Sequence, residues 1–388
     1  MDDNRRVDSL ILLVGSNPLP NYLASMALKP SKIHLVHSGE TKGPKDRLHV
    51  ALSADLGSSV TIDGDAFVDD PFSALAVGDK VRDLIAKCNA AHLHYTGGTK
   101  VMSAHALKAF YEKAGRPENA SYLDEAQTCL RFDGNLPSRS LSVCGVTLTL
   151  DRILQLHGVT QKTRSPINGG PGQTDVQAIA TAVLQRPQLA SCLYGEKKRL
   201  EDSSFSEAKE TPCIANDHGV ALSAPVIPPK EGMNKKCFDA WCKFMGGEWL
   251  EDWVATKIRE VGLTGSAEIT VGVNCSRAGS ERPFEVDVAV IRGQRSYFIS
   301  CTTDMTRSIC KSKAFEILVR ARHMGGDLAR SALVSLLPGN AVTELQEDVA
   351  DAWGSANATR IFGLEDMKTW SGHYESQNLG SLKEWLDS

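Results

Sequence analysis

The chain has 388 residues and a formal charge of −4, from 43 Lys+Arg against 47 Asp+Glu. At roughly 150 residues per domain, this length allows two or three domains, each able to bury a core without disulfide or metal staples. An apolar content of 42% and a charged content of 23% exclude a disordered chain, a collagen-like chain and a strongly basic nucleic-acid coat. Any basic surface must then be local and offset elsewhere.

Met1 to Val7 is polar, and the apolar run Leu10 to Val14 is far shorter than the roughly 20 residues of a membrane span. The expectation is a soluble cytoplasmic protein with no membrane partner. Ten cysteines are present and none fall at C-x-x-C spacing. Buried reduced thiols are therefore expected, not structural zinc.

The run Leu10-Ile-Leu-Leu-Val14 ends in Gly15 and reads as a strand buried on both faces. A helix over 21–28 follows, then a strand over 32–37, a helix over 46–56 and a strand over 59–62. Residues 71–89 form a helical window, 91–95 a fourth strand and 101–114 a helix. Strands alternating with helices imply a parallel sheet covered on both faces. Residues 120–123, 129–132 and 142–150 read as short strands added antiparallel at the sheet edge. A helix then begins at Asp151.

Residues 161–175 hold Pro166 and the Gly169-Gly170-Pro171-Gly172 cluster, which is linker chemistry. A helix within 177–200, interrupted near Pro187, precedes a polar, Pro-rich stretch to residue 235. The expected organisation is a domain over 1–158, a connector with local helix over 159–236, and a second domain over 237–388. In the second domain 241–261 is an amphipathic helix. Strands follow at 268–275, 283–292 and 295–302, then a helix at 311–324 and a strand at 331–337.

Thr96-Gly-Gly-Thr-Lys100 lies where a buried strand becomes a helix. Glycines let backbone amides approach a ligand there, and a helix N-terminus favours anions. Gly15-Ser16-Asn17 occupies the matching position after the first strand. Two such loops at parallel strand ends converge on one crevice, which suggests a phosphate or nucleotide site. The alternative for each loop is a tight turn with satisfied hydroxyls. His37 to Thr41 lines the same crevice or caps the following segment. His92 and His94 alternate with apolar residues, as packed structural histidines do.

Together with Leu150-Asp-Arg-Ile-Leu-Gln-Leu-His-Gly158, these loops resemble a CARF domain, the Rossmann-like sensor of type III CRISPR ancillary effectors. The resemblance covers residues 1–158. It implies a homodimer whose two-fold crevice binds a cyclic oligoadenylate, often the tetramer cyclic tetra-adenylate. It also implies that Gly15, Ser16, Asn17, Thr96, Gly97, Gly98, Thr99 and Lys100 hold that ligand.

In the second half, alternation puts Glu285 and Asp287 on one strand face. Paired carboxylates suit a hard divalent cation that activates water. Glu248 and Glu251 share a helix face at i, i+3, either at this site or as solvated surface acids. Arg292, Arg295, Arg307, Lys311, Lys313, Arg320 and Arg322 suggest a basic face for a phosphate backbone. Trp249 and Trp253 at i, i+4 suggest core packing, with base stacking as the alternative.

Gly246 to Val254, Phe284 to Val290 and Tyr297 to Thr303 resemble the PD-(D/E)xK nuclease domain fused to CARF in these effectors. The fold class implied is α/β in both halves, a Rossmann-like sensor followed by a restriction-endonuclease-like domain. The function implied is a cyclic oligoadenylate-activated, Mg²⁺- or Mn²⁺-dependent nuclease acting on a nucleic-acid substrate. Glu251, Glu285 and Asp287 match the family's acids.

The family's following Glu-Cys-Lys reads Ser300-Cys301-Thr302 here. Either Glu316 supplies the missing metal ligand and Lys311 or Lys313 the missing catalytic lysine, or the domain binds nucleic acid without cutting it.

Overall fold

The computed structural model describes residues 7–114, 116–202, 234–263, 266–277, 283–354, 359–372 and 376–388. The Pro-rich stretch 203–233 of the expected connector lies outside the described residues. Among the described residues no helix is long and apolar enough to cross a membrane. Nine cysteines in the described residues are free thiols.

The first sheet has the order β3-β2-β1-β4-β5-β6-β7. These strands are β1 (Ser9–Leu13), β2 (Lys32–His37), β3 (Thr61–Phe67), β4 (Ala91–His94), β5 (Ala120–Asp124), β6 (Cys129–Phe132) and β7 (Arg139–Ser140). β1 pairs in parallel with both β2 and β4, and β5 continues the parallel set beside β4, not antiparallel as expected; only β6 and β7 add antiparallel. The chain runs outward from β1 through β2 and β3, then returns to β1's other side at β4. The loops after β1 and β4 therefore flank the switch point of the sheet, where open α/β folds bind ligands.

Every residue from Leu10 to Val14 is fully buried, for the reason the apolar run suggests. Leu10 and Leu12 face one core with helices α1 (Leu19–Leu28), α2 (Lys42–Leu56) and α5 (Leu150–Leu156). Ile11 and Leu13 face the other, with α3 (Ala74–Ala86) and α4 (Lys100–Ala114).

Residues 142–150 are not the expected strand. Val146, Leu148 and Leu150 are buried at the alternating spacing of a strand, but no sheet edge pairs with them. Instead Leu148 N–H donates to Gly293 O at 2.9 Å, and the Gln294 amide donates to Val146 O. The segment docks on the turn of a hairpin in the second half.

The second sheet has the order β13-β12-β11-β10-β9-β8. It comprises β8 (Val159–Thr163), β9 (Ala267–Arg277), β10 (Phe284–Arg292), β11 (Arg295–Thr302), β12 (Ala329–Ser335) and β13 (Arg360–Phe362). β8 to β11 are antiparallel neighbours, whereas β11, β12 and β13 run parallel.

The helices of this half are α6 (Gln173–Gln185), α7 (Leu189–Asp202), α8 (Lys235–Lys243), α9 (Trp249–Glu260), α10 (Arg307–Gly325), α11 (Gly339–Trp353), α12 (Leu364–Ser371) and α13 (Gly380–Asp387). The helix expected over 241–261 is broken into α8 and α9. Gly247 stands at φ 143°, a conformation that glycine alone adopts easily.

Residues 159–202, expected as connector, carry β8, α6 and α7. β8 pairs with β9, while Ile179, Val183 and Leu193 share a core with Trp241, Trp249 and Trp253. The two halves also share a core. Leu10, Leu12 and Leu23 cluster with Val286, Phe298, Ile317 and Met324.

Candidate functional site

The two glycine-bearing loops of the first half do converge. A Cβ on Gly15 would lie 3.0 Å from Gly98 N, and one on Gly97 would lie 1.9 Å from Leu13 O. Gly97 therefore sits where only a missing side chain lets the β4 loop lie against the end of β1. Gly98 adopts φ 79°, in the left-handed region. Asn21 Nδ2 donates to Leu13 O at 2.8 Å from within the core, fixing the end of β1.

The loop hydroxyls are partly committed to the turn itself. Thr96 Oγ1 accepts Leu123 N–H at 2.6 Å, tying the loop to β5. Thr99 Oγ1 accepts Met102 N–H at 3.0 Å, capping α4, and donates to Pro71 O at 3.2 Å. Ser16 and Lys100 are exposed, with Lys100 the first residue of α4. That helix end is electropositive and adds to the lysine charge.

Asn17 instead faces the protein. Its Oδ1 accepts Leu19 N–H at 3.0 Å and meets His157 Nε2 at 3.1 Å. Its Nδ2 lies 2.4 Å from where a Cβ on Gly326 would stand, at the end of α10. Asn17 thus joins the loop after β1 to α5 and to the second half.

Ser38 N–H donates to Thr41 Oγ1 at 3.0 Å, so Thr41 serves the local turn. His92 Nε2 and His94 Nδ1 both meet Ser121 Oγ, at 2.8 and 3.2 Å. Burial lowers His92 to about 4 and His94 to about 3, so both rings are neutral core residues.

In the second half, Glu251 on α9 and Asp287 on β10 come together. Val288 and Val290 pack in one core, whereas Val286, Ala289 and Ile291 pack in the other. The alternation therefore breaks at Asp287, opposite Gly272 of β9 at φ 62°. The pairing of β10 with β11 ends at Val288↔Ile299, which leaves the Cys301 N–H without a strand partner. Asp287 Oδ2 accepts that N–H at 2.6 Å and the Ser300 hydroxyl at 3.1 Å.

Burial raises both carboxyls, and each acid is further disfavoured by neighbouring acids. Glu251 stands well above the usual range, through burial first and then Asp287. Asp287 is raised by burial, against the Cys301 N–H, the Lys313 charge and the Ser300 hydroxyl. Burial first, and then Asp287 and Glu251, push the Cys301 thiol well up, which disfavours the thiolate a nucleophile needs.

A residue that sequence reasoning missed completes this group. Arg164, just beyond β8, bridges Glu248 at 3.1 Å, Glu251 at 3.0 Å and Asp252 at 2.7 Å. Burial opposes its charge, but the three acids outweigh that and raise it. A cavity of about 670 Å³ opens beside it, with Lys236, Lys243, Glu248 and Asp252 in the lining.

Glu316 and Lys311 do not converge here. Glu316 pairs with Arg320 on its own helix, and Lys311 pairs with Asp348 of α11 at 3.2 Å. Glu285 is exposed, but its charge acts on Glu251 and Asp287, and its carbonyl accepts from Arg320 at 2.6 Å. Lys313 is the one expected lysine whose charge acts on Asp287.

The expected basic face is dispersed as well. Arg292 holds Asp387 at 2.5 Å, Arg295 donates to Ala126 O at 2.7 Å, and Arg307 pairs with Glu344 and Asp348. Trp249 and Trp253 are fully buried, and Trp253 stacks on Trp370 at 6.3 Å.

Tested as a divalent-cation site, the donor set falls short. Glu251 Oε2 is held by Arg164 and Asp287 Oδ2 by Cys301 and Ser300. Among the described residues no group of three or more His, Cys, Asp or Glu is placed to hold a metal ion. The residues present therefore do not fit the divalent metal that the sequence resemblance implies.

No protein-family model matches the chain, and no curated protein matches it in sequence. Solved structures do match. Can2 from Sulfobacillus thermosulfidooxidans, solved in complex with cyclic tetra-adenylate, is 17% identical. The match covers 98% of each chain at a TM-score of 0.68. A Vibrio cholerae protein is 16% identical over 98% of each chain, at a TM-score of 0.66. The likeness runs through both halves, so the chain has the two-part α/β fold of these proteins.

Proposed function

We propose that this chain is a cyclic oligoadenylate-responsive effector of type III CRISPR defence. Residues 1–158 are the sensor and the second sheet with its helices is the effector. The observation that carries this reading is the contact of the loops after β1 and β4 at the switch point. It is supported by the end-to-end likeness to Can2, whose structure holds cyclic tetra-adenylate.

In this reading a ring with two-fold symmetry sits across a homodimer. The Gly97-Gly98 backbone, Ser16 and Lys100 meet its phosphates. Asn17 is the residue that transmits occupancy, because it faces His157 and the end of α10. Coupling of this kind requires that the ligand bind one arrangement of the chain more tightly than the other.

The effector acts on nucleic acid. The best-supported version is a nuclease of PD-(D/E)xK ancestry, with Glu251 and Asp287 as its acids and Lys313 as its positive charge. Lys311 and Glu316, each held in an ion pair elsewhere, take no part in it as they stand, whereas Glu285 adds its charge beside the two acids. A second reading, nucleic-acid binding without cleavage, is favoured by Ser300 and Thr302 in place of the family's Glu and Lys.

The test incubates the full chain with cyclic tetra-adenylate, Mn²⁺ and single-stranded DNA, single-stranded RNA or plasmid. Ligand-dependent cleavage that disappears in Asp287→Ala is the expected result. Retention of nucleic acid with no cleavage of any substrate would replace the nuclease with the binding protein.

A further inference from the structure

We propose that, in the chain without its activating ligand, Arg164 is the resident counter-cation of the effector's acidic group and keeps a divalent metal ion out of it. The proposal rests on the reading of the second half as a nuclease domain, and it accounts for the poor fit of that domain's metal.

Arg164 is placed with care by the backbone. Its N–H donates to Gly272 O at 3.0 Å, and a Cβ on Gly272 would stand 2.9 Å from Arg164 Cβ. Only a residue without a side chain admits Arg164 so close to β9. The guanidinium then meets three carboxylates at once. Nη1 lies between Glu248 and Glu251, and Nη2 reaches Asp252. A planar fork with several donors suits such multiple contacts better than a point charge does.

A hard divalent cation needs several oxygen ligands in a nearly fixed geometry. Arg164 removes one Glu251 oxygen from that set and places a positive charge beside the other. Asp287 cannot compensate, because one of its oxygens is bound to the Cys301 N–H and Ser300. Ser300 occupies the position from which the family's Glu would contribute, and it donates where that Glu would accept. The acidic group is thus neutralised from within the chain, at least in the arrangement described here.

The experiment is a Mn²⁺ titration followed by electron paramagnetic resonance, on the full chain without nucleic acid. Wild type is compared with Arg164→Met and with Arg164→Met/Glu251→Gln. The single variant should bind Mn²⁺ at least about tenfold more tightly than wild type, the scale on which groups next to ligands change metal affinity. The double variant should lose that gain. Equal or weaker binding by Arg164→Met would overturn the proposal and make Arg164 a group that merely orients Glu251. A gain that persists without Glu251 would overturn it too.

If a thermal melt shows that Arg164→Met does not fold, Arg164→Gln, which keeps hydrogen bonds to the acids, is read against the same outcomes. Cleavage is scored separately. Tight Mn²⁺ binding by Arg164→Met without any nuclease activity removes the nuclease reading and leaves the role of Arg164 standing.

Discussion

Gly97→Ala probes the sensor crevice where it is tightest. The new Cβ would stand 1.9 Å from Leu13 O and 3.1 Å from Asn21 Nδ2. Real Cβ atoms keep at least 3.0 Å from heavy atoms, so the loop or the strand end must move by no less than 1.1 Å. The obstacle is a backbone carbonyl at the end of a fully buried strand, not the free tip of a flexible side chain. Forcing volume into such a place costs about 1–3 kcal/mol. Displacing Leu13 O also strains the 2.8 Å bond from Asn21, and a buried polar group left unpaired costs about 1–3 kcal/mol more.

Against a typical stability of about 5–15 kcal/mol, the total is large. Urea unfolding should show a clear fall in midpoint for Gly97→Ala with little change in slope. Calorimetry with cyclic tetra-adenylate should show weakened binding, because the same shift separates the two loops. Gly39→Ala is the control, since a Cβ there meets nothing within 4 Å. If Gly97→Ala matches the control in both midpoint and affinity, the two loops do not form the close contact on which the sensor reading depends.

Three further outcomes follow from the same geometry. Proton NMR should find His92 titrating near pH 4 and His94 near pH 3, and a ring titrating near 6.5 would contradict their burial. Because these pKa values are depressed on folding, their contribution is complete above about pH 6.5 and is lost as the pH falls toward 4. Glu251 has the opposite sign. Its folded pKa is raised, so its charge destabilises at neutral pH and the penalty fades on acidification. Glu251→Gln should therefore be as stable as wild type at pH 7 or more so, on the order of 1 kcal/mol, with a smaller gap at pH 5. A clear loss of stability at pH 7 would show that the ion pair with Arg164 outweighs burial. Lys100→Ala should leave the melting temperature unchanged, because the side chain is exposed, and should weaken ligand binding most at low salt.

The sequence was most informative where one residue type has one physical meaning. The uninterrupted run from Leu10 to Val14 reads as a strand covered on both faces, and its two cores are found there. Thr96-Gly-Gly-Thr-Lys100 announced a loop that only glycine permits, and Gly97 proves to be such a position. Alternation put Glu285 and Asp287 on one face, but the break at Asp287 depends on Gly272 of a different strand. The break turns Asp287 toward Cys301 and leaves Glu285 exposed.

Arg164 was illegible for a related reason. It lies in a Gly- and Pro-rich stretch that reads as linker, and its partners are more than 80 residues away. The basic cluster failed because Asp348 and Asp387, which absorb Lys311, Arg307 and Arg292, belong to later helices with no local signature. Near-zero net charge was the average of these internal pairings, not of an acidic site beside a basic face.

The measurement that bears most directly on the account is calorimetric titration of the full chain with cyclic tetra-adenylate. Saturable binding at one ring per two chains, much weakened in Gly97→Ala, is the predicted result. No heat, and no shift in melting temperature at saturating ligand, would contradict the assignment of the crevice between β1 and β4 as a cyclic oligoadenylate sensor.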